Sequence, residues 1–206
     1  MKLTWYGHSC FLLETAEGSL VFDPYAPGEV PGLRLPALRA DKVICSHAHS
    51  DHNDSRAVTL SGRDFNGEIK SISSFHDGSG GRLRGENKIT LVEAEGLRIA
   101  HLGDLGHLLN DRQLASLGRI DLLMIPVGGF YTIDARTAKE LTDALNPAVT
   151  VPMHYRGAGF GFGEIAPAEA YLRLRNDVKY FDTNTLELNA IPARPFTAVL
   201  KCPAEI

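Results

Sequence analysis

His47-Ala48-His49-Ser50-Asp51-His52 is the stretch of the chain that decides its fold, and only Ser46 separates it from the preceding apolar run Lys42-Val43-Ile44-Cys45. The apolar run is typical of a buried strand. Alternate side chains of an extended chain share a face, so His47 and His49 should point the same way at the carboxyl end of that strand. Asp51 and His52 follow at the point where the chain is expected to turn after the strand.

Imidazole nitrogens and carboxylate oxygens are ligands for Zn²⁺, Mn²⁺ and Fe²⁺. One short loop would have difficulty wrapping four such groups around a single ion, so the pattern favours two neighbouring ions. A solvated loop is the alternative. Three histidines beside an aspartate within one short stretch are rare by composition in a chain with 8 histidines, and we therefore predict a metal site.

The composition is that of an ordinary globular domain, with 44% hydrophobic and 22% charged residues. A chain of 206 residues fits one domain, and we assign residues 1–206 to it. The formal net charge of -4 supplies no basic field for a polyanion. We therefore expect a small-molecule substrate and no nucleic acid, with a homo-oligomer as a possible assembly.

The cysteines and the amino terminus indicate the compartment. Cys10, Cys45 and Cys202 are odd in number and form no CxxC pair, which favours reduced thiols in the cytoplasm. His8 and Glu14 interrupt what would be the apolar stretch of a signal peptide. No apolar run approaches the length of a membrane span, so we expect no membrane association.

Two strand-turn-strand units share a Glu-Gly turn, and each runs out into an aspartate, Asp23 in the first unit and Asp104 in the second. This repeat predicts two similar halves, near residues 1–85 and 86–206, that share a core. Strands are predicted at 3–13, 19–23, 42–45, 68–75, 89–100 (with a turn at 95–96), 121–127 and 148–151, with closing strands in 178–200. Helices are predicted at 110–117, 134–146 and 167–176, with a stub near 54–60. Hairpins followed by strand-helix alternation predict mixed sheets with helices outside.

The histidine stretch after a hydrophobic strand resembles the defining motif of the metallo-β-lactamase superfamily. The later order is also similar, with a lone histidine at His76, an aspartate in a Gly-Asp step at Asp104 and a histidine after a strand at His154. The resemblance covers nearly the whole chain. It implies an α/β fold, a four-layer αββα sandwich of two mixed β-sheets with outer helices.

Two further stretches, Gly7-His8-Ser9-Cys10-Phe11 and Pro152-Met153-His154-Tyr155, are most similar to the compact Zn-dependent hydrolases related to ascorbate-6-phosphate lactonase. The resemblance implies a cofactor of two divalent metal ions, with Zn²⁺ expected first and Mn²⁺ or Fe²⁺ as alternatives. The implied ligands are His47, His49 and His76 for one ion, Asp51, His52 and His154 for the other, and Asp104 as the bridge. For His76 a plain surface histidine is the alternative.

Other residues have less specific patterns. Asp23 and His8 lie near strand ends that should adjoin the metal loop, so either could orient a ligand, although for His8 a purely structural role is the alternative. His101 should alternate into a strand face as a hydrogen-bonded core histidine, and for His107 we expect a plain structural role, with a place at the border of the pocket as the alternative.

Residues 78–85, with Arg82 and Arg84, could supply backbone amides and a cation to an anionic substrate, or could be a mobile turn. Tyr131 or Tyr155 could donate a hydrogen bond to a developing oxyanion, or could only pack.

The function predicted from these residues is metal-dependent hydrolysis of a small anionic ester, lactone or phosphodiester. Two cations would lower the pKa of a bridging water, so that a hydroxide forms near neutral pH and no serine or cysteine nucleophile is needed. The groups assigned to catalysis are Asp51, Asp104, Tyr131 and Tyr155. The alternatives are a nuclease of the ribonuclease Z type and a non-catalytic metal-binding or regulatory protein.

Overall fold

A computed structural model describes residues 1–205 of the chain. The strands are β1 (Lys2–Trp5), β2 (Phe11–Thr15), β3 (Gly18–Phe22), β4 (Leu38–Ala40), β5 (Lys42–Ile44), β6 (Val58–Leu60), β7 (Glu68–Phe75), β8 (Glu86–Ala94), β9 (Leu97–His101), β10 (Leu122–Pro126), β11 (Val149–Met153), β12 (Val178–Tyr180), β13 (Thr185–Glu187) and β14 (Phe196–Val199). The α-helices are α1 (Asp111–Leu117), α2 (Ala135–Leu145) and α3 (Glu169–Leu172), and single 3₁₀ turns cover Ser55–Ala57 and Pro203–Glu205.

Two mixed sheets form the body of the fold. The first sheet has five strands in the order β13-β1-β2-β3-β5, antiparallel except for the parallel β3–β5 pair. The second has seven strands in the order β12-β14-β11-β10-β9-β8-β7, and its antiparallel β7-β8-β9 meander continues into parallel strands. The predicted metallo-β-lactamase fold, an α/β sandwich, is confirmed.

Buried contacts join the two sheets face to face. The His101 ring on β9 stacks on Phe22 of β3 with ring centroids 5.1 Å apart, and its Nε2 donates to the Ser9 carbonyl at 2.9 Å. His101 Nδ1 accepts from the Gly103 amide. Both ring nitrogens are therefore used inside the core, as the strand alternation predicts for this histidine.

The helices α1 and α2 connect β9 to β10 and β10 to β11, which are parallel neighbours in the sheet. Because such crossovers are right-handed, both helices lie on the same outer face of the second sheet. Asn110 caps α1 in a capping box with Gln113, and Asp134 caps α2 through the Thr137 amide. Gly118 ends α1, so the predicted bounds of this helix agree with the structure.

Strand direction determines where the functional residues meet. In the first sheet β1, β3 and β5 run the same way, because β1 and β3 both pair antiparallel with β2 and β5 pairs parallel with β3. In the second sheet β7, β9, β10 and β11 likewise share one direction. The motif residues follow the carboxyl ends of these strands, and these ends come together at one edge of the sandwich.

Three predicted elements differ in the structure. Residues 3–13 form two antiparallel strands, because the chain reverses at Gly7, whose φ is 91°, and Cys10 N donates to the Gly7 carbonyl. The stub near 54–60 is a 3₁₀ turn followed by β6. The helix predicted at 167–176 is α-helical only over Glu169–Leu172, with i→i+3 hydrogen bonds on both sides.

The two sheets do not divide at residue 85. Strand β7, from the first predicted half, pairs with β8 in the second sheet, and β13, from the second half, pairs with β1 in the first sheet. The single-domain assignment with two similar halves stays a prediction. Cys10 and Cys45 are free thiols. Among the described residues, no helix combines the length and apolar character that a bilayer crossing requires.

Candidate metal centre

Imidazole and carboxylate groups from both sheets converge at the shared edge of the sandwich. Three sets of residues could each hold a metal ion, and within each set the potential ligand atoms lie within 4.8 Å of one another. The sets are His8, Asp51, His52 and His154; His47, His49 and His76; and His47, His52 and Asp104. The structure thus brings together all seven residues that the sequence predicts as ligands, and it adds His8.

Asp104 lies at the centre of the cluster and is almost fully buried. Its Oδ2 is 3.2 Å from His52 Nε2, 3.1 Å from His76 Nε2 and 3.1 Å from His154 Nε2. Its backbone amide donates to the Asn87 Oδ1 at 2.9 Å, which fixes the turn after β9. A carboxylate between two groups of imidazoles is the arrangement that a bridging ligand requires.

Hydrogen bonds behind the rings orient His52 and His47. His52 Nδ1 donates to Asp23 Oδ2 at 2.9 Å, so its Nε2 points into the cluster. The Ser46 hydroxyl donates to the same carboxylate at 2.6 Å and lies 2.9 Å from His47 Nδ1, from which it can accept. Asp23 therefore sets the tautomer of His52 directly and that of His47 through Ser46, the contact expected of a carboxylate that orients metal ligands.

His76 is oriented by the backbone of another loop. Its Nδ1 donates to the Tyr131 carbonyl at 3.0 Å, which leaves Nε2 to point at Asp104. Gly106 lies directly behind this histidine, because a Cβ added there would come within 2.4 Å of the His76 carbonyl carbon. The close approach of this backbone makes glycine necessary at position 106. His76 is 3% exposed, so it is not a surface histidine.

The chemistry of the donors fits divalent cations. His47 Nε2 and Asp104 Oδ1 are buried and find no hydrogen-bond partner among residues 1–205. A buried polar atom without a partner costs about 1–3 kcal/mol, which a cation at this position would offset. Burial and the neighbouring His52 lower the pKa of His47 to about 3, so this imidazole is neutral and able to coordinate at neutral pH.

The carboxylate of Asp104 and the imidazoles around it shift one another's pKa values strongly. Burial raises the pKa of its carboxyl, but the charges of His154 and His52 outweigh this and hold the pKa well below its usual range. Burial lowers the pKa of His52, and Asp104 more than reverses this, raising it well above the ordinary value. Cation binding at His52 Nε2 therefore has to displace a proton, which makes metal affinity dependent on pH.

Three of the six non-glycine residues with positive φ among residues 1–205 belong to the cluster or orient its donors. His8, Asp23 and His154 have positive φ values of 51°, 44° and 52°, in the region that favours glycine. Each such residue costs about 1–3 kcal/mol and persists only where the surrounding structure enforces it. The three strained residues all contribute side chains to the same cluster or to its orientation.

A cavity of about 380 Å³ opens above the donors. Its lining includes His49, Asp51, Asp104, Arg84, Tyr131, Phe162 and Glu29. A second cavity of about 580 Å³ also contains His49 and Arg84 in its lining. Arg84 therefore lies beside the donors at the junction of two cavities, with its guanidinium carbon 5.6 Å from the centre of the Tyr131 ring.

The glycine-rich loop that carries Arg84 is fixed by Asp77. The Asp77 carboxylate accepts hydrogen bonds from the backbone amides of Ser79, Gly81, Leu83 and Arg84. Burial raises the pKa of Asp77, but these four amides lower it below its ordinary value. The loop is therefore held by hydrogen bonds, in contrast to the simple mobile turn considered from its sequence.

The structure does not bring Tyr155 into the site cavity. Its ring packs on Trp5 at 5.3 Å and on Phe160 at 6.1 Å, and it lines a different cavity. His107 also turns away from the donors, and its Nε2 accepts from the Phe75 amide at 3.1 Å.

Sequence reasoning missed Asn87, Ser46 and the role of Asp77. Asn87 is a buried polar residue on β8, and the charged residues Glu86 and Lys88 on either side of it give no signal of its burial. Ser46 adjoins the histidine stretch, and Asp77 directly precedes a glycine run. Neither pattern specifies which backbone or side-chain groups the residue contacts, so only the folded chain reveals these roles.

The known proteins that are similar in sequence to this chain agree with one another in family and in described activity. The sequence profile described as a beta-lactamase superfamily domain matches residues 2–154. A UPF0173 metal-dependent hydrolase of Opitutus terrae is 31% identical over 197 residues, covering 75% of this chain and 85% of the relative. A second of that name, from Thermoplasma acidophilum, is 28% identical over 188 residues, with 75% and 83% covered.

A solved structure is similar over almost the full chain. It is a crystal structure from Thermotoga maritima, described as a candidate Zn-dependent hydrolase of the metallo-β-lactamase superfamily. It superposes with a TM-score of 0.78 at 35% identity and covers 97% of each chain.

Replacing His76 by alanine should lower metal content by about one equivalent and strongly reduce turnover, because one set of donors loses an imidazole. Metal analysis of the purified variant, together with circular dichroism to check the fold, measures this.

The control for His76→Ala is His101→Ala, which removes a buried imidazole that donates to Ser9 rather than facing the donors. Metal content that falls in His101→Ala but stays unchanged in His76→Ala would contradict the assignment of His76.

Asp104→Ala should lose more activity than Asp23→Ala, because Asp104 contacts three imidazoles whereas Asp23 orients ligands from behind. Loss of an orienting carboxylate costs about 10–100-fold in metal affinity or activity, and loss of the bridge should exceed this. Steady-state kinetics and metal analysis of both folded variants test the order. Equal losses would show that Asp104 is not the bridge.

Proposed function

The chain belongs to the metallo-β-lactamase superfamily and is a metal-dependent hydrolase, and on this premise we propose that it hydrolyses a small anionic ester, lactone or phosphodiester with two divalent cations. The observation that carries the proposal is the convergence of seven donors below a cavity whose lining includes one arginine beside them.

Two ions account for the donors better than one. His47, His49 and His76 form one set, and Asp51, His52 and His154 belong to another, with Asp104 Oδ2 near imidazoles of both. We assign the first set to one ion, the second to another and Asp104 to the bridge. Zn²⁺ is the first expectation for a site rich in imidazole, with Mn²⁺ or Fe²⁺ as alternatives.

When bound, the ions supply Lewis acidity and a water whose pKa is lowered toward neutrality. The residues of the chain hold the ions and contact the substrate. Asp51, with its side chain 20% exposed at the cavity, and Asp104 provide the carboxylates among the donors. Tyr131 also lines the cavity, and we assign its hydroxyl as the hydrogen-bond donor to charge that develops on the substrate oxygen. Because the Tyr155 ring lies outside the cavity, we assign it no step.

Arg84 is the residue from which we infer an anionic substrate. A guanidinium makes paired hydrogen bonds to carboxylate or phosphate groups, and here it lies at the junction of the two cavities. The hydrogen bonds from the loop to Asp77 limit the conformations that Arg84 must lose when it binds an anion. A cavity of about 380 Å³ is within the range of small-molecule sites.

The alternative of a ribonuclease Z-like nuclease has less support. The net charge of -4 does not favour a polyanion, and Glu29 and Glu86 also line the two cavities. The other alternative, a non-catalytic metal-binding or regulatory protein, is set aside because the relatives of this chain are metal-dependent hydrolases. We retain the cytoplasm as the proposed compartment from the cysteine pattern.

The proposal is tested with purified protein assayed before and after chelation, using bis(p-nitrophenyl) phosphate as the anionic substrate and p-nitrophenyl acetate as the neutral one. We expect about two equivalents of metal, turnover that is lost on chelation, and recovery when Zn²⁺ or Mn²⁺ is added back. Turnover that persists in metal-free protein, or a clear preference for the neutral ester, would contradict it.

Arg84→Ala should lower kcat/KM for the anionic substrate by about 10–100-fold, because a hydrogen bond to a charged group is lost. The neutral ester should be affected little. Arg82→Ala is the matched control, since Arg82 lies on the same loop but is exposed and bonds the Ser79 carbonyl. The same loss in both variants would indicate a general effect of loop charge and remove Arg84 from the substrate site.

A further inference from the structure

His8 lies in the tight reversal between β1 and β2, far in sequence from the histidine stretch. Its backbone is fixed in a left-handed conformation, with φ at 51°. The His8 carbonyl accepts hydrogen bonds from the indole nitrogen of Trp5 at 3.0 Å and from the amide of His154 at 3.2 Å. These contacts impose the strained conformation and direct the ring into the cluster.

The ring nitrogen of His8 meets donors already assigned to the second ion. Its Nε2 is 3.2 Å from His52 Nε2 and 3.3 Å from Asp51 Oδ2, and those two atoms are 3.6 Å apart. Neighbouring donors at about 2.1 Å from a four- or five-coordinate cation are about 3.0–3.6 Å from one another. The three measured separations lie within this range.

His8 also shares the features of His154, an assigned ligand. Both are almost fully buried, both have positive φ, and both rings leave Nδ1 without a hydrogen-bond partner among the described residues. The two ring centroids are 4.2 Å apart.

A hydrogen bond is the competing arrangement. His8 Nε2–H could donate to Asp51, or to His52 Nε2 when that imidazole is neutral. His8 would then orient Asp51 and would not contact an ion. The distances allow either arrangement, but only coordination lets Asp51, His52 and His8 direct lone pairs at one common point.

We propose that His8 is a direct ligand of the second ion, in addition to Asp51, His52, His154 and the bridging Asp104. The proposal rests on the two-ion centre proposed above. It makes the two positions unequal, because the second ion has more protein donors and the first has His49 at the cavity wall. The first ion is then the more exchangeable of the two and the one with free coordination positions for substrate.

The experiment uses Co²⁺ in the full-length protein, since its unpaired electrons strongly shift the ring N–H proton of a directly coordinated histidine. We compare the wild type with His8→Asn by proton NMR and by Co²⁺ titration of the metal-free protein. Asparagine tolerates the left-handed conformation and removes the imidazole. Ser9→Ala is the control, because it alters the adjacent buried side chain, whose hydroxyl has no partner among residues 1–205.

His8→Asn should lose one strongly shifted N–H resonance and should bind one Co²⁺ at least about 100-fold more weakly, whereas Ser9→Ala should match the wild type. An unchanged set of shifted resonances in folded His8→Asn would overturn the proposal and leave His8 as a hydrogen-bond donor to Asp51. Should His8→Asn not fold, His8→Gly with added imidazole replaces it. Return of a shifted N–H with imidazole is then expected, and no return contradicts coordination.

The wild-type titration separates this result from a failure of the proposed function. A wild type that binds only one equivalent of Co²⁺ would contradict the two-ion centre. The difference in resonances between the wild type and His8→Asn would still decide whether His8 coordinates.

Discussion

The burial of one carboxylate, Asp104, is the constraint on which the rest of this structure depends. An ionised group removed from water is costly unless opposite charge and hydrogen bonds replace the water. Here three imidazoles lie within 3.2 Å of one carboxylate oxygen, while the other oxygen finds no partner among the described residues. The interior of the cluster is therefore arranged for positive charge, which a divalent cation would supply.

The sandwich meets this constraint through strand direction. Donors that follow the carboxyl ends of β5, β7, β9 and β11 reach one edge from two sheets, so no single loop has to wrap around an ion. The left-handed residues at this edge are the local cost, of about 1–3 kcal/mol each. The free energy gained by burying a large hydrophobic core, which includes strands of both sheets, offsets that cost. The site is thus strained where its ligands leave the sheets and rigid behind them.

Much of this arrangement could be predicted from the sequence, for definite physical reasons. The His47–His52 stretch concentrates ligands after a strand, and cap residues such as Asn110 and Asp134 mark helix starts through local hydrogen bonds. Long-range contacts could not be predicted in this way. The pattern over residues 3–13 predicts a single strand, because the reversal depends on the positive φ of Gly7 and not on side-chain alternation. The partners of His8 and Tyr155 depend on segments about 40 to 150 residues away in the chain.

His76 and Asp77 are neighbours in the chain but serve different parts of the site. One points its imidazole at Asp104, and the other fixes the loop whose last arginine lies at the cavity. A shift of this short segment therefore moves both a proposed metal ligand and the proposed anion-binding arginine. Thermodynamic linkage makes such coupling reciprocal, so an anion held by Arg84 would strengthen metal retention by the same factor by which the metal strengthens anion binding. Metal occupancy in a cell would then follow the supply of substrate as well as the supply of the ion.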